Sequence, residues 1–196
     1  MDEGETLDDP IGYFSTLFER ASHAGAESDA MVLSTVDADG RPSGRYVLLK
    51  AVDARGFVFY TNMGSRKAHA LAVNAQAALT FYWPTIEKQV RVEGRVERVT
   101  DAEADLYFAS RPRGFQIGAW ASSQSDTLAS RAALEERVRD AAARFDGSPV
   151  SRPPVWSGFR VIPDRIEFWT RDPDRLHHRL LFERLDGAWI RSLLFP

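Results

Sequence analysis

The chain is predicted to be mainly β with peripheral helices, an antiparallel barrel rather than a layered parallel sheet. Three observations predict it. Short apolar and aromatic runs follow one another through tight turns at Asp37-Ala38-Asp39-Gly40, Asp53-Ala54-Arg55-Gly56 and Asp186-Gly187. The first three strand-like runs arrive with no helix between them, whereas a parallel doubly wound sheet needs a crossover helix after each strand. No glycine-rich dinucleotide fingerprint follows a strand. Closure into a barrel removes the exposed edges that so many strands would otherwise present.

Each element has a local cause. Residues 1–9 read as a disordered acidic leader, and residues 10–196 as one domain. Asp9-Pro10 is a helix-start pair, and Ile11, Phe14, Leu17, Phe18 and Ala21 recur at helical spacing until Gly25. Strands are expected at Met31–Val36, Arg45–Lys50, Phe57–Tyr60 and Ala77–Trp83, the last broken by Pro84. Gln89–Val99 is a long alternating strand, with Val90, Val92 and Val96 on one face if it stays regular across Gly94. Thr100-Asp101-Ala102-Glu103 is a capping box opening a helix through Phe108. Ser130–Phe145 reads as an amphipathic helix with Leu134, Val138, Ala141 and Ala142 on one side. After a proline-rich connection at Pro149–Pro154 come strands at Trp156–Val161, Arg165–Trp169, Arg179–Leu185 and Ala188–Leu194.

Composition excludes several function classes. At 196 residues and 44% hydrophobic, the chain can bury a full core. The net charge is −3, but removing the leader's five acids leaves +2 for residues 10–196. Bulk charge therefore does not point to nucleic acid. The absence of cysteine excludes disulfides and thiolate metal sites. No apolar run approaches the ~18 residues of a membrane span, so a cytoplasmic protein is expected.

The chemistry concentrates at Gly64-Ser65-Arg66-Lys67. Ser65 reads as the N-cap of a helix running through Ala70, Leu71 and Val73. Two cations at the positive end of a helix dipole are each disfavoured by a few tenths to about 1 kcal/mol. A bound phosphate would reverse that, since helix N–H groups and Arg or Lys side chains can share one anion. The alternative is a pair of solvated surface cations. Upstream, Arg45–Lys50 and Phe57–Tyr60 bring Arg45, Lys50 and the Thr61 hydroxyl toward the same corner, which suits a phosphorylated, partly aromatic ligand.

Two other clusters are weaker. Arg175, His177 and Arg179 stand at period two, so an extended backbone would set all three on one face; a solvated strand edge is the alternative. His177-His178 does not make a metal site, because neighbours on a strand point to opposite faces and His23 and His69 lie far away in sequence. Phe81, Tyr82, Trp83, Trp120 and Trp156 read as core or dimer contacts rather than a stacking platform.

In combination, Arg45-Tyr-Val-Leu-Leu-Lys50, Phe59-Tyr-Thr-Asn62, Gly64-Ser-Arg-Lys67, Glu87-Lys-Gln89-Val, Ser110-Arg-Pro-Arg113, Gln116-Ile-Gly-Ala-Trp120, Gln124-Ser125, Ile166-Glu-Phe-Trp169 and Arg175-Leu-His177 resemble the flavin-dependent pyridoxine/pyridoxamine 5′-phosphate oxidases, from about Ala30 to Pro196. The resemblance implies a split β-barrel homodimer with two FMN sites at the subunit interface. It implies FMN contacts from Arg45, Tyr46, Val47, Leu48, Leu49, Lys50, Tyr60, Thr61, Arg66 and Lys67, the last two on the phosphate. Gln89 would meet the polar edge of the flavin, Gln124 and Ser125 would approach from the second subunit, and Trp169 and Arg179 match further FMN positions. Lys50, Tyr107, Arg111, Arg175 and His177 match the substrate positions, Arg175 and His177 as the catalytic pair. In that family C4′ of the substrate delivers a hydride to flavin N5, and O2 reoxidises the flavin to give H2O2. An amine substrate leaves as an imine that water hydrolyses to the aldehyde.

Two departures stand out. The family usually places Ser four residues after the Arg of the Ser-Arg-Pro motif, donating to the substrate phosphate, and here that residue is Phe115. Many members also carry a longer basic N-terminal segment, where this chain opens with acids. The resemblance thus leaves three functions open: a vitamer phosphate oxidase, an oxidase of another aromatic substrate such as a dihydrophenazine, and a flavin-binding module without turnover. Lys50, which the dihydrophenazine branch tends to lose, favours the first. Retention of Lys50, Tyr107, Arg111, Arg175 and His177 disfavours the third.

Overall fold

The computed structural model describes residues 8–196, so the leader read over residues 1–9 lies outside the described residues up to residue 7. Helix α1 (Pro10–His23) begins where Asp9 accepts the Ile11 N–H at 3.0 Å, an N-cap followed by proline at the first turn. Then follow β1 (Ala30–Val36), β2 (Pro42–Leu48), β3 (Ala51–Asp53), β4 (Gly56–Asn62), α2 (Arg66–Val73), β5 (Gln76–Trp83) and β6 (Lys88–Arg98). Helices α3 (Asp101–Ser110), α4 (Arg113–Ala121) and α5 (Arg131–Arg144) precede β7 (Trp156–Thr170), β8 (His178–Leu185) and β9 (Ala188–Leu194). Among the described residues, no helix is long and apolar enough to cross a membrane.

The nine strands make one sheet, ordered β2-β1-β5-β6-β7-β4-β3, with β8 on β7 and β9 on β8. Its two ends are consecutive in sequence. Leu49 donates its N–H to Asp29 at 2.8 Å on one side, and Lys50 donates to Val58 at 2.8 Å on the other. Two residues joining opposite ends of a seven-strand path force the sheet to curl, which gives the barrel character expected of it. The interior is filled from α1, whose Phe14 ring lies 4.8 Å from Phe57 and 4.9 Å from Phe81. A second cluster of Phe108, Ile117, Ala141, Phe145, Val150 and Trp156 packs α3, α4 and α5 over the start of β7.

β7 was expected as two strands and is one, 15 residues long. On one edge it pairs with β6 from Phe159 to Thr170; on the other it pairs with β4 up to Val161 and with β8 from Arg165. Pro163 sits in the gap between those partners, where its missing N–H costs no ladder bond. The register shift at Glu93/Gly94 leaves Asp164 as the extra residue, so β6 itself keeps its alternation. Gly94 has a steric reason, because a Cβ there would stand 2.0 Å from the Ile162 carbonyl oxygen.

The Thr100/Glu103 capping box forms as expected. α5 is less amphipathic than its pattern suggested: Ala141 is buried and Leu134 half-buried, but Val138 and Ala142 are exposed. α4 was not anticipated, since Gly114 and Gly118 depress helix propensity.

Candidate functional site

Segments far apart in sequence meet at the start of α2. Lys67 is only 8% exposed, and its ammonium donates to Gln124 Oε1 at 2.9 Å, Thr61 Oγ1 at 3.1 Å and Ser65 Oγ at 3.3 Å. Among the described residues no carboxylate pairs with it. Burial, then the charge of Arg45, lowers its pKa to about 8. Ser65 occupies the N-cap position but makes no capping bond, its hydroxyl serving Lys67 instead. The Arg66 N–H donates to Ser125 Oγ at 3.2 Å, and the Arg66 guanidinium stands 3.9 Å from Asp37. Arg45 donates to the Leu33 carbonyl at 3.0 Å and to Thr35 Oγ1 at 2.8 Å, its pKa lowered by burial and then by Arg66.

A buried ammonium held by three neutral oxygens at a helix N-terminus lacks a counter-charge that an anion would supply. The titration has a testable sign. Unfolded, Lys67 keeps its proton up to about pH 10.5, and folded it releases it near pH 8. Between those values the unfolded state binds more protons, so stability rises with pH. The cofactor-free chain is expected to gain stability relative to Lys67→Met from pH 8 to 10.5, measured by denaturant melts across that range. Parallel pH profiles for the two proteins would contradict the burial of a charged ammonium.

Beside this corner opens a cleft of about 800 Å³. β2 contributes Arg45, Tyr46, Val47 and Leu48, β4 contributes Tyr60 and Thr61, and Lys50, Arg66, Lys67, Gln124, Ser125, Tyr107 and Arg111 also line it. Leu49, expected among them, is buried and does not border the cleft. Lys50 is held by Asp29 at 2.8 Å. One wall is an aromatic stack, with Tyr60 4.1 Å from Tyr107 and 5.2 Å from Trp156. The Arg111 guanidinium lies 4.8 Å over Trp156 and 5.8 Å from the Phe115 ring. Burial lowers the Arg111 pKa, and its Nη1 is buried without a hydrogen-bond partner among the described residues. That is a second cation whose surroundings are incomplete without an anion. Phe115 is 63% exposed at the rim.

The remaining expected residues gather elsewhere. Gln89 lies opposite Trp169, and Trp169 opposite Arg179, in a row across β6, β7 and β8. The His177 ring is 4.5 Å from Trp169. None of these, nor Arg175, borders the cleft.

Two expectations are corrected. Arg175, His177 and Arg179 do not share an extended face. Only Arg179 is in a strand, and Arg175 adopts a left-handed φ of 64° in a loop organised by Asp172. The Asp172 carboxylate accepts the Asp174 and Leu176 N–H groups at 2.9 and 3.3 Å, and the Asp172 N–H donates to His177 Nδ1 at 3.1 Å. The imidazole proton therefore resides on Nε2. Second, Gln124 and Ser125 were expected to reach over from another subunit, yet they are hydrogen-bonded to Thr61, Lys67 and Arg66 of their own chain. Sequence reasoning missed Trp156 as a cleft wall; it was read as core, and at 6% exposure it is core as well.

Comparison with known proteins fits this geometry. The family described as "Pyridoxamine 5′-phosphate oxidase" matches residues 19–145, and "Pyridoxine 5′-phosphate oxidase C-terminal dimerisation region" matches residues 156–196. The chain belongs to the pyridoxamine 5′-phosphate oxidase family. Membership makes it an oxidoreductase. A relative from Myxococcus xanthus (strain DK1622), named pyridoxine/pyridoxamine 5′-phosphate oxidase, is 59% identical over 189 residues, covering 96% of this chain and 92% of its own. One of the same name from Burkholderia vietnamiensis (strain G4 / LMG 22486) is 52% identical over 200 residues, covering 100% of this chain and 93% of its own. The crystal structure of PhzG from Burkholderia lata 383, in complex with tetrahydrophenazine-1-carboxylic acid, has a TM-score of 0.93 at 31% identity, covering 100% of this chain and 96% of its own. The expected fold, a curled sheet flanked by helices, is the one this family shares.

Proposed function

We propose that the chain is an FMN-dependent oxidase that converts pyridoxamine 5′-phosphate or pyridoxine 5′-phosphate to pyridoxal 5′-phosphate, working as a homodimer. The observation that carries this is Lys67, a buried ammonium with three neutral acceptors and, among the described residues, no carboxylate, beside Arg45 and the first N–H groups of α2. These residues fit the phosphate of FMN. Bound there, FMN would supply a hydride acceptor for substrate C4′ and pass the electrons to O2, giving H2O2.

The chain's own groups divide the remaining work. Lys67, Arg45 and Arg66 would neutralise the cofactor phosphate, with Thr61 and Gln124 fixing the ammonium. Arg111, with its unpartnered Nη1, would take the substrate phosphate, and the Tyr107–Tyr60–Trp156 stack would exclude water on that side. His177 would present its Nε2 proton, set by the bond from Asp172 to Nδ1. The separation of the expected residues supports a dimer. The cleft holds one set, and the β6–β8 row with its loop holds the other, so in a dimer a second copy would bring its row to the first copy's cleft. The name of the family region matched at residues 156–196 supports this arrangement.

A second substrate class has one observation in its favour. Phe115 replaces a donor by an aromatic wall beside Arg111, as an aromatic carboxylate would require, and the PhzG structure with its phenazine-type ligand is similar over the whole chain. A peroxide assay on the purified dimer separates the two. H2O2 is expected with pyridoxamine 5′-phosphate and not with unphosphorylated pyridoxamine. Faster peroxide with a dihydrophenazine carboxylate would select the second class, and a colourless chain that takes up no added FMN would refute both. Phe115→Ser should restore one charge-assisted bond of about 1.5–3 kcal/mol and lower KM for the phosphorylated amine about tenfold to a hundredfold. Because Phe115 is exposed, its replacement should hardly change Tm; an unchanged KM would show that the residue does not face the phosphate.

A further inference from the structure

Glu167 stands in the C-terminal half of β7 on the face that carries Trp169, yet it is only 3% exposed. Across the strands it lies opposite Arg91 of β6, one row from the Gln89–Trp169–Arg179 row. Two guanidiniums close over it. Arg91 bonds to Oε2, while Arg179 grips it as a fork, Nε to Oε1 at 2.8 Å and Nη2 to Oε2 at 3.1 Å. The Arg179 Nη1 donates to the Phe195 carbonyl at 2.8 Å. Three of the five N–H groups of Arg179 are thereby committed, leaving one on Nη1 and one on Nη2. Burial pushes the Glu167 carboxyl up, but the bonds from Arg179 and Arg91 outweigh it and hold the group below the usual carboxylate range.

We propose that Glu167 is a positioning residue for the cofactor: it fixes the plane of the Arg179 guanidinium so that its two remaining N–H groups are presented to the flavin. The role presupposes FMN as cofactor. An apolar residue at this buried place would avoid the desolvation cost of an ion triad, so stability alone does not ask for an acid. Orientation does, because a bidentate carboxylate holds a guanidinium in one plane, which a single hydrogen bond cannot. The carboxylate also cancels one of the two adjacent positive charges, so the Arg91–Glu167–Arg179 triad presents a single net cation.

The test is a double-mutant cycle on the full-length protein, read by FMN titration. Glu167→Gln is expected to weaken FMN about tenfold, the loss of one charge-assisted bond, and to shift the visible absorption bands of the flavin that still binds. In an Arg179→Leu background the same substitution should change neither quantity further. Should Glu167→Gln fail to fold, Glu167→Asp, which keeps the charge but withdraws it by one methylene, is read in the same cycle. FMN affinity and spectrum identical to wild type, or effects that add fully to those of Arg179→Leu, would overturn the proposal while leaving the flavin assignment standing. A wild-type chain that binds no FMN would remove both.

Discussion

Lys67→Met is expected to weaken FMN binding by a hundredfold or more while leaving the cofactor-free fold as stable as wild type or more so. The two halves of that expectation have one cause. In the free protein the ammonium is desolvated, with no counter-ion among the described residues and Arg45 nearby, which disfavours its charged form and draws its pKa to about 8. Methionine fills a similar volume with no charge to desolvate, and two of the three oxygens left behind stay paired, since Thr61 Oγ1 already donates to Gln124 Oε1 at 3.0 Å. With phosphate bound the balance reverses. The ammonium then meets a dianion in a buried setting, where a charge-assisted bond contributes about 1.5–3 kcal/mol, and long-range attraction adds to it. Quenching of FMN fluorescence measures the affinity and a thermal melt measures the fold. FMN affinity within threefold of wild type would mean that the phosphate lies elsewhere, whatever the melt shows.

Arg111→Leu is expected to raise KM for pyridoxamine 5′-phosphate about a hundredfold without changing FMN affinity. Arg111 is held by the Trp156 face at 4.8 Å rather than by a carboxylate, and its Nη1 is buried with no acceptor. A planar donor pair fixed by stacking is pre-organised for phosphate oxygens, so little ordering cost offsets its bonds. Leucine keeps apolar packing against Trp156 and removes the donors. The discriminating measurement is the ratio of kcat/KM for phosphorylated and unphosphorylated amines, which should collapse toward one. If both substrates suffer equally, Arg111 acts on the shape of the cleft and not on the phosphate.

Much of this was legible in the chain. The N-cap at Asp9, the capping box at Thr100 and the turn at Asp186-Gly187 are written in neighbouring residues, and all three form. The basic corner was legible because two cations at a helix start violate a local rule, and such violations mark sites. α4 was hidden because its two glycines suppress the helical signal that Ile117 and Ala121 provide. Joining β7 across Pro163 required knowing that its partners change there, which no local pattern states. The trio Arg175, His177 and Arg179 misled because period two has meaning only in an extended backbone, and Asp172 folds that segment into a loop.

By itself the sequence determined the mainly β class, the turns and caps, the phosphate-seeking corner and, through its ordered motifs, the family. Tertiary structure alone decided which groups meet: Gln124 with Lys67 across 57 residues, Arg91 with Glu167 across 76, and the cleft set apart from the β6–β8 row. The reason is range. Periodicity, capping and turn chemistry act over a few residues, whereas these meetings depend on the register and curl of the whole sheet, to which every strand contributes.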